Sequence, residues 1–231
     1  MATSYSPKIV TDSLALCVDV RNEKSYPSSG GAYLYDIGGS GLQFAGAGAY
    51  ISYTNGVGAG SNWATSTTSI LNTDYHSIFF TIMFNSTVNY PNGISGNWDK
   101  IVSFNAGGSD RTPGIWRQPG NRAIHWRYDP GNTGLNIFKD GLESGTDFST
   151  NTWYYVGVTK NGGTATAYVN GKTVGNMSVA FPKTAGNAPI YLYESYPANL
   201  SSINNLTIHT KVLTATEILQ NYNAIRGRFG I

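Results

Sequence analysis

The 231-residue chain carries a net charge of +2, with charged residues at 12%, 28 glycines and 16 tyrosines, so its surface is made of amides, hydroxyls and glycine backbone more than of ions. It has no long basic block to attract nucleic acid or an anionic membrane, and no apolar run of the ~18 residues that a membrane-spanning helix needs. The length suits one large domain, and the single cysteine, Cys17, has no partner for an internal disulfide and reads as a small buried apolar side chain beside Leu16 and Val18.

SLALCVDV, residues 13–20, is the first expected strand, crowded enough with apolar residues for a mostly buried position. A turn-rich segment follows, and alternation resumes from Leu42 to Tyr53. Residues 56–69, GVGAGSNWATSTTS, are poor in large apolar side chains and read as a long surface loop. SIFFTIMFN, residues 77–85, has the length and the β-branched and aromatic content of a central strand, and KIVSFNA follows at 100–106. GIWRQPGNRAIHWRYDP predicts a hairpin turning at Pro119-Gly120-Asn121. Its second arm places Ile124, Trp126 and Tyr128 on one face and Ala123, His125 and Arg127 on the other.

The clearest pattern is WYYVGVTKNGGTATAYVNGKTV, residues 153–174. Two alternating runs meet at Asn161-Gly162-Gly163, and a second turn, Asn170-Gly171, follows, so three successive antiparallel strands are expected. Residues 189–195 and 203–210 add two more strands. About a dozen strands with no helical pattern between them imply an all-β sandwich of two packed sheets. Only then does the period change. Thr214 and Glu217 form a capping box, Ile218, Leu219, Tyr222 and Ile225 form an apolar stripe, and Gly227 is placed to end a helix of about 215–225, leaving a basic tail at 226–231.

DSLALCVDVRNEKSYP, LQFAGAGAYISY, the 153–174 pattern and the closing INNLTIHTKVLTATEILQNYNAIRGRFGI together resemble the concanavalin A-like (laminin-G-like) lectin/glucanase superfamily. More narrowly, they resemble its members in the virions of tailed bacteriophages. The resemblance implies a jelly-roll sandwich of two antiparallel sheets, a single domain over 1–231, and a non-enzymatic structural role in the virion, first as capsid decoration. The alternative is a carbohydrate-binding module of a tail fibre or baseplate that recognises host glycans. The expected partners are capsid or other virion proteins, further copies of the chain and host glycan. The N-terminus shows no charged region backed by an apolar stretch, so synthesis in the host cytoplasm is expected.

Catalysis is not expected. The superfamily's glucanases draw two carboxylates from one strand as Glu-x-Asp-x-(x)-Glu, and that spacing is absent; Glu23, Glu143, Glu194 and Glu217 stand apart. His76, His125 and His209 have no metal-ligand spacing, and no cofactor motif occurs. The resemblance leaves a calcium ion open, with Asp110, Asp129, Asp140 and Asp147 on expected loops and no residue assigned. The candidate glycan or protein contact is the aromatic and arginine-rich hairpin, at Trp116, Arg117, Arg122, His125 and Arg127, because aromatic faces stack on sugars and Trp and Arg anchor interfaces. Arg226, Arg228 and Phe229 are the candidate virion contact.

Overall fold

A computed structural model describes residues 8–27, 32–47, 51–52, 56–58, 62–66, 68, 70–71, 73–84, 98–104, 113–128, 134–179, 189–192 and 201–231. In chain order these form β1 (Leu14–Asp19), β2 (Tyr33–Tyr35), β3 (Gln43–Ala47), β4 (Ile51–Ser52), β5 (Gly56–Gly58), β6 (Asn62–Ala64), β7 (Tyr75–Phe84) and β8 (Asp99–Phe104). Then come β9 (Gly114–Arg117), β10 (Ile124–Arg127), β11 (Gly134–Ile137), β12 (Trp153–Asn161), β13 (Thr164–Val169), β14 (Lys172–Ser178), β15 (Ile190–Leu192), β16 (Ser201–His209) and one helix, α1 (Ala215–Phe229). They make two eight-stranded sheets. The first runs β14-β13-β12-β7-β16-β5-β4 with β1 also on β16, and the second runs β11-β10-β9-β8-β15-β6-β3-β2. Every ladder between named strands is antiparallel, which gives the expected two-sheet sandwich.

The hairpins of 153–178 form where their turn residues require. Asn170 and Gly171 take φ values of 50° and 76°, the left-handed region in which a two-residue turn matches strand twist. Inward side chains from both sheets fill one core. Phe80 stacks on Trp126 at 5.9 Å and Phe84 on Phe148 at 5.5 Å, and each such ring removed from water contributes about 2 kcal/mol. Cys17 is buried as expected, and burial pushes its thiol up to about 12, out of reach of ordinary thiolate chemistry.

The expected loop at 56–69 is instead partly β5 and β6, with Trp63 2% exposed in the core. One large ring between small neighbours is enough there, because Gly46 on β3 leaves room: a Cβ at Gly46 would sit 2.5 Å from the Trp63 ring. β2 and β11 were not expected from the sequence. Of the acids named as candidate loop ligands, Asp110 and Asp129 lie outside the described residues.

α1 covers the outer face of the first sheet. Its capping box forms as expected, Glu217 N–H donating to Thr214 Oγ1 at 3.3 Å and Thr214 N–H to Glu217 Oε2 at 2.8 Å. The buried stripe, however, is Ile218, Asn221, Ile225 and Phe229, while Leu219 is 47% exposed. Asn221 is held inside because its Oδ1 accepts from Val10 N–H at 2.6 Å. The helix passes Gly227 and ends at Phe229, with Gly230 (φ 69°) as its left-handed cap. A mid-helix glycine costs about 1 kcal/mol, less than is recovered by seating Phe229 against Trp153 at 5.1 Å.

At one end of the core lies a polar cluster in which Lys160 and His76 are buried and the Asp74 side chain is 21% exposed. Lys160, with a side chain 0% exposed, contacts Asp74 Oδ1 at 2.6 Å and donates to Gly162 O at 2.8 Å. His76 lies opposite it in the β7–β12 ladder, with Nδ1 on Thr73 O at 2.9 Å and Nε2 on the Tyr128 hydroxyl at 3.2 Å. Burial, opposed by the Thr73 carbonyl, lowers His76 to about 4. The folded ring therefore stays neutral where the unfolded ring, near 6.5, takes up a proton. Stability from this residue is complete above about pH 6.5 and is lost on acidification towards pH 4, at about 1.4 kcal/mol per pH unit. Burial lowers His209 as well, which acts in the same direction. Urea unfolding between pH 7 and 5 is expected to show this slope, and His76→Gln to flatten it; a wild-type stability constant over that range contradicts the assignment.

Candidate functional site

The outer face of the second sheet is where an all-β chain would place solvated polar residues, and here it carries rings and cations. Strand partners in an antiparallel ladder share a face. Lys100 on β8, Trp116 on β9, His125 on β10 and Asn136 on β11 therefore form one outward line, next to a line of Ser103, Gly114, Arg127 and Gly134. The residues between them, Ile115, Trp126 and Leu135, are 0% exposed in the core.

Gly114 has a specific reason to be glycine, since a Cβ there would meet the Trp116 ring at 1.9 Å. Its absence lets that ring lie over the strand, half-buried. Trp98, just before β8, closes on the same place with its ring centroid 4.7 Å from His125, while Trp116 lies at 6.2 Å. Trp98 is 47% exposed and His125 only 8%.

His125 is fixed by a chain of bonds that defines its tautomer. Glu143, held at φ 64°, accepts from both Asn136 N–H (2.8 Å) and Asn136 Nδ2 (2.9 Å), and its own N–H donates to Asn136 O at 2.7 Å. Asn136 must then turn Oδ1 towards His125, 2.7 Å from Nδ1. Nδ1 is thus the protonated nitrogen and, in the neutral ring, Nε2 is an acceptor. The arrangement supplies an aromatic platform in Trp98 and Trp116 beside a histidine held in one orientation, with Lys100 half-buried and Arg127 buried next to it.

Of the five hairpin residues singled out in the sequence, Trp116, His125 and Arg127 share this face. Arg117 does not: it is in register with Ile124, points to the core side and is 2% exposed. Arg122 sits in the turn, with Nε donating to Phe148 O at 2.6 Å and Nη2 3.6 Å from Asp147. Trp98, Lys100, Asn136 and Glu143 belong to the face but were not expected there. At the C-terminus, Arg228, one of the candidate virion contacts, has its Nη1 2.6 Å from Asp19 Oδ2, with Asp19 buried. Arg21 donates to the Arg228 carbonyl and lies over the Phe229 ring at 4.7 Å. Arg226 is exposed, 5.9 Å from the Tyr222 ring.

Glu143 and Glu217 are engaged in the bonds already given, and Glu194 lies outside the described residues. Asp140 Oδ1 accepts from Thr146 N–H at 2.7 Å. Among the described residues no group of three or more His, Cys, Asp or Glu is placed to hold a metal ion, and no helix is long and apolar enough to cross a membrane.

Residues 89–219 match the family model of the concanavalin A-like lectin/glucanases superfamily. No curated protein matches the sequence. Among solved structures, the receptor-binding domain of botulinum neurotoxin D is similar at a TM-score of 0.67 and 20% identity, covering 92% of this chain and 52% of that one. The binding domain of botulinum neurotoxin DC in complex with SialylT is similar at 0.63 and 16%, covering 93% and 52%. A Trypanosoma rangeli sialidase is similar at 0.64 and 15%, covering 97% and 36%. At these identities the likeness is one of fold, and the chain spans about half the length of the neurotoxin structures and less of the sialidase.

Proposed function

The chain belongs to the concanavalin A-like lectin/glucanase superfamily, and from that premise we propose that it is a non-enzymatic carbohydrate-binding module whose binding surface is the outer face of the second sheet. The observation that carries this reading is Trp98: a large ring left 47% exposed, braced against a histidine that Asn136 and Glu143 hold in one tautomer. An exposed indole face stacks on the apolar face of a pyranose, and the histidine behind Trp98 holds that ring in place. Fold-level kinship with a neurotoxin binding domain solved in complex with SialylT supports the class of ligand by analogy.

The test is a glycan array probed with the wild-type chain and with Trp98→Ala. Wild type is expected to bind at least one glycan, and the variant to lose about tenfold or more in affinity. Binding unchanged in the variant would remove this site, and a silent wild type would remove the function.

A second reading is favoured by the resemblance of the opening and closing segments to bacteriophage virion proteins: the module is part of a phage particle, on the capsid surface or on a fibre or baseplate. Arg226 is then the C-terminal residue best placed to touch a neighbour, because Phe229 is buried and Arg228 is paired with Asp19. Mass spectrometry of purified particles is expected to find the chain in many copies; its absence from them contradicts this reading.

A further inference from the structure

Among the described residues six large apolar side chains are exposed, and three of them, Tyr33 at 41%, Tyr35 at 39% and Ile37 at 36%, fall within five residues at the edge strand β2. The two tyrosine rings lie 6.1 Å apart on the outer face of the second sheet, while Leu34 between them enters the core. Register carries this face across the sheet, with Tyr33 opposite Ala45, Ala45 opposite Ala64 and Ala64 opposite Tyr191. Two alanines between two tyrosines leave a shallow dip, three interstrand steps or about 14 Å across. The surface carries no charge of its own. From Ala32 to Gly46 the one charged residue is Asp36, and both of its oxygens are taken within the chain: Oδ1 accepts from Cys17 N–H and Gly38 N–H at 2.7 Å, and Oδ2 from Ser40 N–H at 2.6 Å and the Ser40 hydroxyl at 2.8 Å. The edge is also closed to an added strand at Tyr35, whose N–H donates to Ser25 O at 2.7 Å and whose carbonyl accepts from the Ser25 hydroxyl at 2.6 Å. Ile37 N–H donates to Cys17 O at 2.8 Å. What docks here meets side chains, not backbone.

We infer that this face is a two-fold contact with a second copy of the chain, in which Tyr33 and Tyr35 of each copy seat over Ala45 and Ala64 of the other. A two-fold contact sets a patch against itself, so a charged patch would repel its own image. A neutral patch that carries both projecting rings and a dip beside them is complementary to itself. Tyrosine suits the role, because its ring supplies a large contact area at low conformational-entropy cost and its hydroxyl finds a partner at the rim. The contact covers β2, β3 and β6. Trp98, beside His125 on β10, lies across β15, β8 and β9 from it, so the inference stands apart from the carbohydrate reading.

The test is sedimentation velocity of the full chain over a concentration series of about 1 to 100 μM. Wild type is expected to reach twice its 24.8 kDa mass within that range. Tyr33→Thr/Tyr35→Thr removes both rings and keeps strand propensity, and Ala45→Arg fills the dip and sets like charges opposite each other across the two-fold. All three positions are exposed, and circular dichroism checks that each variant folds. Each variant is expected to weaken self-association about thirtyfold or more. A wild type that stays at 24.8 kDa throughout overturns the inference, and so does a dimer that either variant leaves intact.

Discussion

Removal of residues 226–231 is expected to cost the chain a large part of its stability before any binding is affected. The segment contains Phe229, 8% exposed and packed on Trp153, and loss of a buried phenylalanine costs about 3–5 kcal/mol against a typical total of about 5–15. It also takes away Arg228, leaving the Asp19 carboxylate buried without that cation, and the Gly230 cap. Arg226→Ala, by contrast, removes an exposed side chain and should shift stability by no more than about 0.5 kcal/mol. Urea unfolding of the two variants separates the roles: a truncated chain with the wild-type midpoint would show that the helix end does not close the fold.

The second large effect is expected at the buried Lys160, and it is asymmetric. Among the described residues, Asp74→Ala leaves the ammonium of Lys160, 0% exposed, with the Gly162 carbonyl and the face of Tyr128 at 5.6 Å, and an uncompensated buried charge costs about 3–5 kcal/mol. Lys160→Met removes the charge itself and keeps an unbranched apolar stem of similar reach, so it should cost less than about 2 kcal/mol. The double variant should recover most of what Asp74→Ala loses. Equal losses in the two single variants would mean that Lys160 is not held as a buried cation.

Much of this architecture is readable from the chain, and the exceptions have physical reasons. The strands β12 to β14 stand out because alternation and positive-φ turn residues agree. β6 is hidden because its single large residue, Trp63, has its room provided by Gly46 on another strand, which no local pattern displays. The helix end is misplaced by one turn because Gly227 is a local stop signal overruled by the contact between Phe229 and Trp153. Within the candidate site, the hairpin marks Trp116, His125 and Arg127, since alternation alone separates them from Ile124 and Trp126. Arg117 follows the same composition but falls on the other side of the pleat. Trp98 lies outside any strand, and the pairing of β8 with β9 and of β9 with β10 brings it to His125. Asn136 and Glu143 are likewise joined by loop geometry, at a residue held in a left-handed conformation.

Whether the outer face of the second sheet holds sugar is decided by a crystal structure of the chain with the glycan that it binds most tightly. A pyranose ring stacked on the exposed face of Trp98 is expected. A sugar seated on the first sheet or at the loops, with Trp98 uncovered, would contradict it.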